Sequence, residues 1–220
     1  MDLRIAHIHL ANKWVRIDGI SPDLKKVLSG FKGDNLFGYM YIDHTAGLTL
    51  EAVKLFTLEN EEIIYQESPP DKQTRVISRL DAVITSSEIR ILPEEKIETL
   101  QLELPFPLDS YKRDDLEDFR KEEAFHEFRG EGFPDDIQVL FPPTEKLKPE
   151  LVWGRVEKYE NNKITFQLLN QPHQNFGLNI HNTATATVQN IENKTYVVCK
   201  LDLERPPSTQ LKEKKWWKFW

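Results

Sequence analysis

The sequence predicts an α+β fold, mostly antiparallel sheet built from hairpins, with one short N-terminal helix and one longer charged helix in the second half. Three Glu-Asn pairs between strand-like runs predict hairpin turns, because asparagine tolerates the left-handed conformation that such turns require. The serine and proline at positions 21 and 22 are typical of a helix start. A long run of mixed charges after residue 108 is typical of a solvated helix.

The first half of the chain consists of short strand-like runs and one early helix. Strands are expected within residues 2–17, 36–43, 51–67 and 75–104. Ser21 is expected to cap the helix and Gly30 to close it. The prolines of Pro105-Phe106-Pro107 end the pattern, so we predict a β-rich domain over residues 1–105.

The second half begins with the charged helix, which starts at Asp109 or Ser110 and ends near Arg129. Its apolar residues do not form one stripe at 3.6-residue spacing, so either the helix bends or two of its faces are covered. These apolar residues are Leu116, Phe119, Phe125 and Phe128. Strands and hairpins follow, which predicts an α+β domain over residues 106–204 and a basic aromatic tail over residues 205–220.

The central hairpin turns at Glu160-Asn161-Asn162. A two-residue loop would place Phe166 opposite Glu157 and mix charge into the apolar face. A three-residue loop, with Asn162 left-handed, places Phe166 opposite Val156. Because a one-residue slip moves every side chain to the other face, we predict the three-residue loop.

Part of this region resembles a known family. Trp153, a turn, the run 168–172 (Leu-Leu-Asn-Gln-Pro), Gly177 and a further strand together resemble the YegJ-like family of small uncharacterised bacterial proteins. The resemblance covers roughly the last third of the chain, although His181-Asn182 stands where a Gly-Asp pair is expected. It implies a small α+β fold and no catalytic residues. The first half of the chain resembles no family.

Charge and composition limit the classes of partner and compartment. The net charge is −7, and the last 16 residues hold five Lys/Arg and one Glu, so the rest of the chain has a net charge of −11. An acidic body argues against nucleic acid as a partner, because phosphate binding requires a basic surface. No apolar run approaches the roughly 20 residues that span a bilayer, which predicts a cytoplasmic protein. The single cysteine, Cys199, is expected in the core.

Histidines provide the only metal hypothesis. On a strand, His7 and His9 would share a face, and with His44 they would be able to hold a metal. Glu123 and His126 have the Glu-x-x-His spacing of di-iron helices, but no second such motif is present. No phosphate loop, nucleophile elbow or Cys-x-x-Cys pair occurs, so no cofactor is predicted.

The polar loop at 170–182 is a candidate binding surface. Its candidate contact residues are Asn170, His173, Asn175, Phe176 and His181. Such side chains suit the recognition of a protein partner, and they equally suit a loop that hydrogen-bonds its own backbone. Trp153 is expected to pack beneath the charged helix.

The C-terminal tail is a second candidate surface. Residues 212–220 place Trp216, Trp217 and Trp220 among lysines. So many aromatic residues exposed together would promote aggregation, so we expect another surface to bury them. The surface that buries them is a groove of the same molecule, a partner protein or an anionic membrane surface.

These observations predict a non-catalytic cytoplasmic binding protein of the inhibitor or immunity type, with a protein partner. Two alternatives remain open. One is a metal-dependent hydrolase that uses His7 and His9. The other is a peripheral membrane adaptor docked through residues 212–220.

Overall fold

The computed structural model describes residues 7–66, 77–79, 88–104 and 107–201. Of these residues, 47% lie in strands and 17% in helices, arranged as an antiparallel sheet and a closed five-stranded barrel. The predicted α+β fold with a long helix is therefore wrong, because the protein is mostly β and its helices are short. Within the described ranges, no helix combines the length and hydropathy needed to cross a membrane.

The chain forms two compact units, one ending at Ile137 and the other beginning at Gln138. The sequence instead places a boundary at the Pro105–Pro107 segment, where Pro105 and Phe106 lie outside the described residues. The tail at 205–220 also lies outside them.

An antiparallel sheet is the centre of the first unit. Its strands are β1 (Lys13–Asp18), β2 (Asn35–Asp43), β3 (Gly47–Glu59), β4 (Glu62–Tyr65), β5 (Ile77–Arg79) and β6 (Glu88–Ile91). Their order is β4-β3-β2-β1-β6, and β5 also pairs with β3. Two strands were predicted within residues 2–17, of which residues 2–6 lie outside the described residues; the described part forms a 3-10 helix at Ile8–Leu10 followed by β1.

Both faces of this sheet are covered. On one face, Met40 and Leu50 pack with Leu24 of α1 (Pro22–Val27) in a buried cluster. Ser21 caps α1 as predicted, since its hydroxyl accepts the Leu24 N–H at 3.1 Å. On the other face, the rings of Phe37 and Phe56 stack with centroids 4.6 Å apart.

Helix α2 (Glu94–Thr99) covers that second face, where a strand was predicted. Pro93 precedes it and two glutamates occupy its first turn, which is a favourable helix start. Ile97 and Leu100 are three residues apart and pack against the Phe37–Phe56 cluster. Leu100, Leu102 and Leu104 fit an alternating pattern, and this ambiguity explains the wrong prediction.

The predicted long charged helix is broken into three short pieces. These are a 3-10 helix at Asp114–Leu116, α3 (Glu117–Lys121) and a 3-10 helix at Glu123–Phe128. Glu122 is extended (φ −72°, ψ 110°), which ends α3. Because of this break, Phe125 packs against Phe119 with ring centroids 4.9 Å apart. In one straight helix these two residues, six positions apart, would lie on different faces.

A buried ionic network holds this segment. The Arg120 guanidinium donates to both carboxylate oxygens of Asp135 at 2.8 Å, and to Glu117 Oε1 at 2.8 Å. Asp135 Oδ2 also lies 3.0 Å from His44 Nδ1. Arg120 is 5% exposed and Asp135 is 2% exposed, so each charge depends on the other for compensation.

This network predicts a specific pH dependence. Burial alone would raise the pKa of Asp135, but hydrogen bonds from Arg120 and His44 lower it overall. The folded pKa is then below the unfolded value of about 4, so this stabilisation is present above that value and is lost as the pH falls through the folded pKa. We expect the free energy of unfolding to fall more steeply below about pH 4 in the wild type than in Asp135→Asn. Urea titrations between pH 7 and pH 3 measure this, and parallel slopes would contradict it.

The second unit is a closed barrel. Its strands are the end of β8 (Phe133–Phe141), β9 (Glu150–Glu160), β10 (Lys163–Leu168), β11 (Thr183–Ile191) and β12 (Lys194–Lys200), whereas the short β7 (Arg129–Gly130) pairs with the start of β8. Neighbours along the chain pair in sequence, and β12 pairs with β8 at Val198↔Leu140. In a barrel of five strands whose neighbours along the chain are antiparallel, the first and last strands run in the same direction. The closing pair, β8 and β12, is accordingly parallel.

The barrel interior is filled by the inward residues of each strand. Phe166 is fully buried, and its ring occupies the space above Gly154, where an added Cβ would lie 2.3 Å from Phe166 Cδ2. Cys199 is 2% exposed, which confirms its predicted place in the core. Burial raises the pKa of its thiol to about 12, so the thiol stays protonated at neutral pH.

The central hairpin combines features of both predicted registers. Glu160 pairs with Lys163, so the loop has two residues and the three-residue prediction is wrong. Phe166 nevertheless lies opposite Val156 as predicted, because a β-bulge interrupts the pairing between Thr165 and Phe166. The bulge shifts the register by one residue and keeps the apolar face continuous.

Both residues of the β9–β10 turn have positive φ, +51° at Asn161 and +59° at Asn162. Replacing either by valine is expected to lower the free energy of unfolding by about 1 to 2 kcal/mol, because β-branched residues are strained there. Chemical denaturation measures this, with Thr165→Val in β10 as the control that keeps extended backbone. If Asn161→Val costs no more than the control, the two-residue loop is wrong.

Candidate binding surface on the barrel

Two exposed large apolar residues of the barrel lie at one end of β9, whereas Ile191 is exposed at the far end of β11. Val152 and Val156 point inward and are buried, so alternation places Leu151 and Trp153 outward. Leu151 is 52% exposed and Trp153 is 36% exposed. The charged helical segment belongs to the other unit, so the packing of Trp153 beneath it stays a prediction.

Two further apolar residues lie beside this strand end. The Leu169 N–H donates to Trp153 O at 2.9 Å, which places Leu169 next to Trp153. Ile180 is 39% exposed, and its neighbour His181 donates a backbone N–H to Leu168 O at 2.9 Å. We refer to Leu151, Trp153, Leu169 and Ile180 as the Trp153 surface.

The loop at 170–182 is held by its own side chains. Asn170 Oδ1 accepts the Trp153 N–H at 2.7 Å, and Asn175 Oδ1 accepts the Gly177 N–H at 3.1 Å. The Gln174 side chain forms a reciprocal pair with the backbone of Lys148, at 2.9 and 3.0 Å. Other side chains that bond within this region are Glu150, Gln171, Asn179 and Asn182. These contacts favour the structural role of the amides over recognition.

The remaining predicted loop residues differ in exposure. Phe176 is 6% exposed and packs edge-on against Phe141, with ring centroids 5.1 Å apart. His173 and His181 are exposed, and their imidazoles have no hydrogen bond among the described residues. The loop is therefore a fixed frame that presents two imidazoles near the Trp153 surface.

Of the three histidines of the metal hypothesis, His7 and His9 are neighbours and His44 lies in a different, buried environment. His7 and His9 flank the 3-10 helix start rather than a strand, with ring centroids 6.5 Å apart. His44 belongs to the buried network through Asp135. No group of three or more His, Cys, Asp or Glu residues suited to a metal occurs in the described part of the chain.

We predict that the purified protein contains no stoichiometric transition metal, because the described part of the chain supplies no complete ligand set around His7 and His9. Elemental analysis tests this directly. About one zinc per chain, lost in a His9→Ala variant, would contradict the prediction.

Trp216, Trp217 and Trp220 lie outside the described residues. Comparison with known proteins does not extend the description of any site, since no family model, curated protein or solved structure matches the chain. The resemblance to the YegJ-like family stays a prediction.

Proposed function

We propose that this chain is a non-catalytic binding protein of the inhibitor or immunity type, and that the Trp153 surface engages a protein partner. The single observation behind this proposal is the exposure of Trp153 and Leu151 side by side on a rigid strand. Tryptophan dominates the binding energy of many interfaces, because its large ring desolvates on contact and loses little conformational entropy.

The frame around the surface supports the same function. The loop at 170–182 is fixed by side-chain hydrogen bonds to its own backbone and to the strand carrying Trp153. A preordered surface loses less entropy on binding than a mobile one. The exposed imidazoles of His173 and His181 supply the polar rim that such interfaces have.

The charge of the barrel does not select the charge of its partner. The net charge of −11 outside the last 16 residues lies in residues 1–137, because residues 138–204 hold seven Lys/Arg and seven Asp/Glu.

Site-specific photo-cross-linking in cells of the source organism tests this function. A photoreactive phenylalanine at position 153 is expected to form an adduct with one protein, and the same residue at Lys163 is expected to form none. Lys163 is the matched control because it is exposed on β10 at the turn end of the same hairpin. Adducts from neither position, or the same set from both, would overturn the proposal.

We also propose a second candidate function, peripheral membrane docking through residues 212–220. It rests on four aromatic residues placed among lysines, since tryptophan favours the membrane interface and each lysine adds about 1 kcal/mol toward an anionic surface. Sedimentation with anionic and neutral vesicles compares the full chain with one truncated after Ser208. Binding of the full chain alone to anionic vesicles would support this function, and equal negligible binding would remove it.

A further inference from the structure

The first unit contains a cleft of about 350 Å³ that no function described so far uses. Ile8, Ala11 and Ile42 form its apolar part. Its volume is at the lower end of the range for small-molecule sites, about 300 to 1,000 Å³. The cleft therefore suits a ligand of amino-acid size better than a nucleotide or a peptide.

One wall of the cleft is formed by Arg120, a charged side chain that is held in place and balanced by carboxylates. Arg120 lines it, is 5% exposed, and is held by three hydrogen bonds to Asp135 and Glu117. Because these carboxylates already balance the guanidinium, the wall does not call for an anionic ligand. It provides rigidity, which keeps the neighbouring rim residues in place.

The polar groups at the rim of the cleft differ from Arg120 in their hydrogen bonding. Lys121, Glu123, His9 and His126 all line the cleft. Within the described residues none of these four side chains makes a hydrogen bond or an ion pair. Lys121 and Glu123 have opposite charges and do not pair with each other, so a ligand with both an anionic and a cationic group is able to satisfy both.

We propose that this cleft binds a free aliphatic amino acid. The ligand carboxylate pairs with Lys121 and accepts hydrogen bonds from the imidazoles of His9 and His126. Its ammonium pairs with Glu123, and its aliphatic side chain packs on Ile8 and Ile42. A ligand with no net charge fits the balance of the free rim charges, one positive and one negative.

Titration of the full chain with L-leucine, followed by amide chemical shifts, tests this site. Saturable shifts are expected at residues 8–12 and 117–126. Two analogues lack one charge each, 3-methylbutylamine and 4-methylpentanoate, and both are expected to bind at least tenfold more weakly. Equal affinities for the three probes, or no saturable shift with L-leucine, would overturn the proposal.

Variants of Lys121 and Glu123 test whether these residues bind the two charged groups of the ligand. Lys121→Ala and Glu123→Gln are each expected to weaken L-leucine binding at least tenfold, whereas Lys158→Ala and Glu160→Gln, an exposed pair 2.9 Å apart on β9, are expected to leave it unchanged. Unchanged affinity in both cleft variants would contradict the site. The Trp153 surface is not involved, so failure of this proposal leaves the protein-binding function untouched, and the reverse also holds.

Discussion

Replacing Asp135 with alanine is expected to lower the free energy of unfolding by about 3 to 5 kcal/mol, because it leaves a buried guanidinium without its counter-charge. Arg120 donates to both Asp135 oxygens at 2.8 Å, and only Glu117 would remain as a carboxylate partner. The same change removes the group that lies 3.0 Å from His44 Nδ1. We therefore expect α3 and the following 3-10 helix to loosen first.

Asp34→Ala is the control for this experiment. Asp34 pairs with Lys25 at 2.9 Å, but its side chain is 68% exposed, and exposed pairs contribute about 0 to 1 kcal/mol. Urea unfolding compares the two variants, with hydrogen exchange of β2 and β3 reporting on the first unit. A loss in Asp135→Ala no larger than in Asp34→Ala would show that the network is not buried as described.

The second large effect is expected from Gly154→Ala in the barrel, which should cost about 3 kcal/mol. An added Cβ would lie 2.3 Å from Phe166 Cδ2, and a close-packed core accommodates such overlap only by displacing the ring. Adding Phe166→Leu to Gly154→Ala should recover part of the loss, because residues in contact are not additive.

Trp153→Ala is the matched control on β9, where the side chain points away from the core and a loss below about 1 kcal/mol is expected. Thermal and urea unfolding measure all three variants. If the Phe166→Leu change deepens the loss in the Gly154→Ala background, the close contact between these two residues is contradicted.

Local patterns in the sequence predicted much of the strand structure. The Glu-Asn turns join β3 to β4, β9 to β10 and β11 to β12, and each has two residues with positive φ. The pairing of Phe166 with Val156 followed from alternation alone. The loop length did not, because the bulge that corrects the register depends on pairing across strands and has no local signature here.

The helical segments were harder to predict, for two different reasons. The irregular spacing of Phe119 and Phe125 left a bend and two covered faces as alternatives, because the break at Glu122 is fixed by packing and by the Arg120–Asp135 network. For α2, Pro93 and the two glutamates after it were a sufficient start signal, but the alternation of Leu100, Leu102 and Leu104 was interpreted as a strand.

One of the two candidate sites was predictable from the local sequence, and the other was not. The outward position of Trp153 follows from the inward positions of Val152 and Gly154, so the sequence contained that signal. The cleft did not follow from any motif, because His9 and His126 are far apart in the chain and meet only in the fold. The parallel closure at Val198↔Leu140 is likewise non-local.

The most direct test of the central claim is the dissociation constant of the cross-linked partner, purified and measured against three forms of the chain. Trp153→Ala is expected to bind about thirtyfold more weakly than the wild type, which corresponds to about 2 kcal/mol for a tryptophan at the centre of an interface. Lys163→Ala should bind like the wild type. Equal affinity of the wild type and Trp153→Ala, with both folded by circular dichroism, would contradict a binding function for the Trp153 surface.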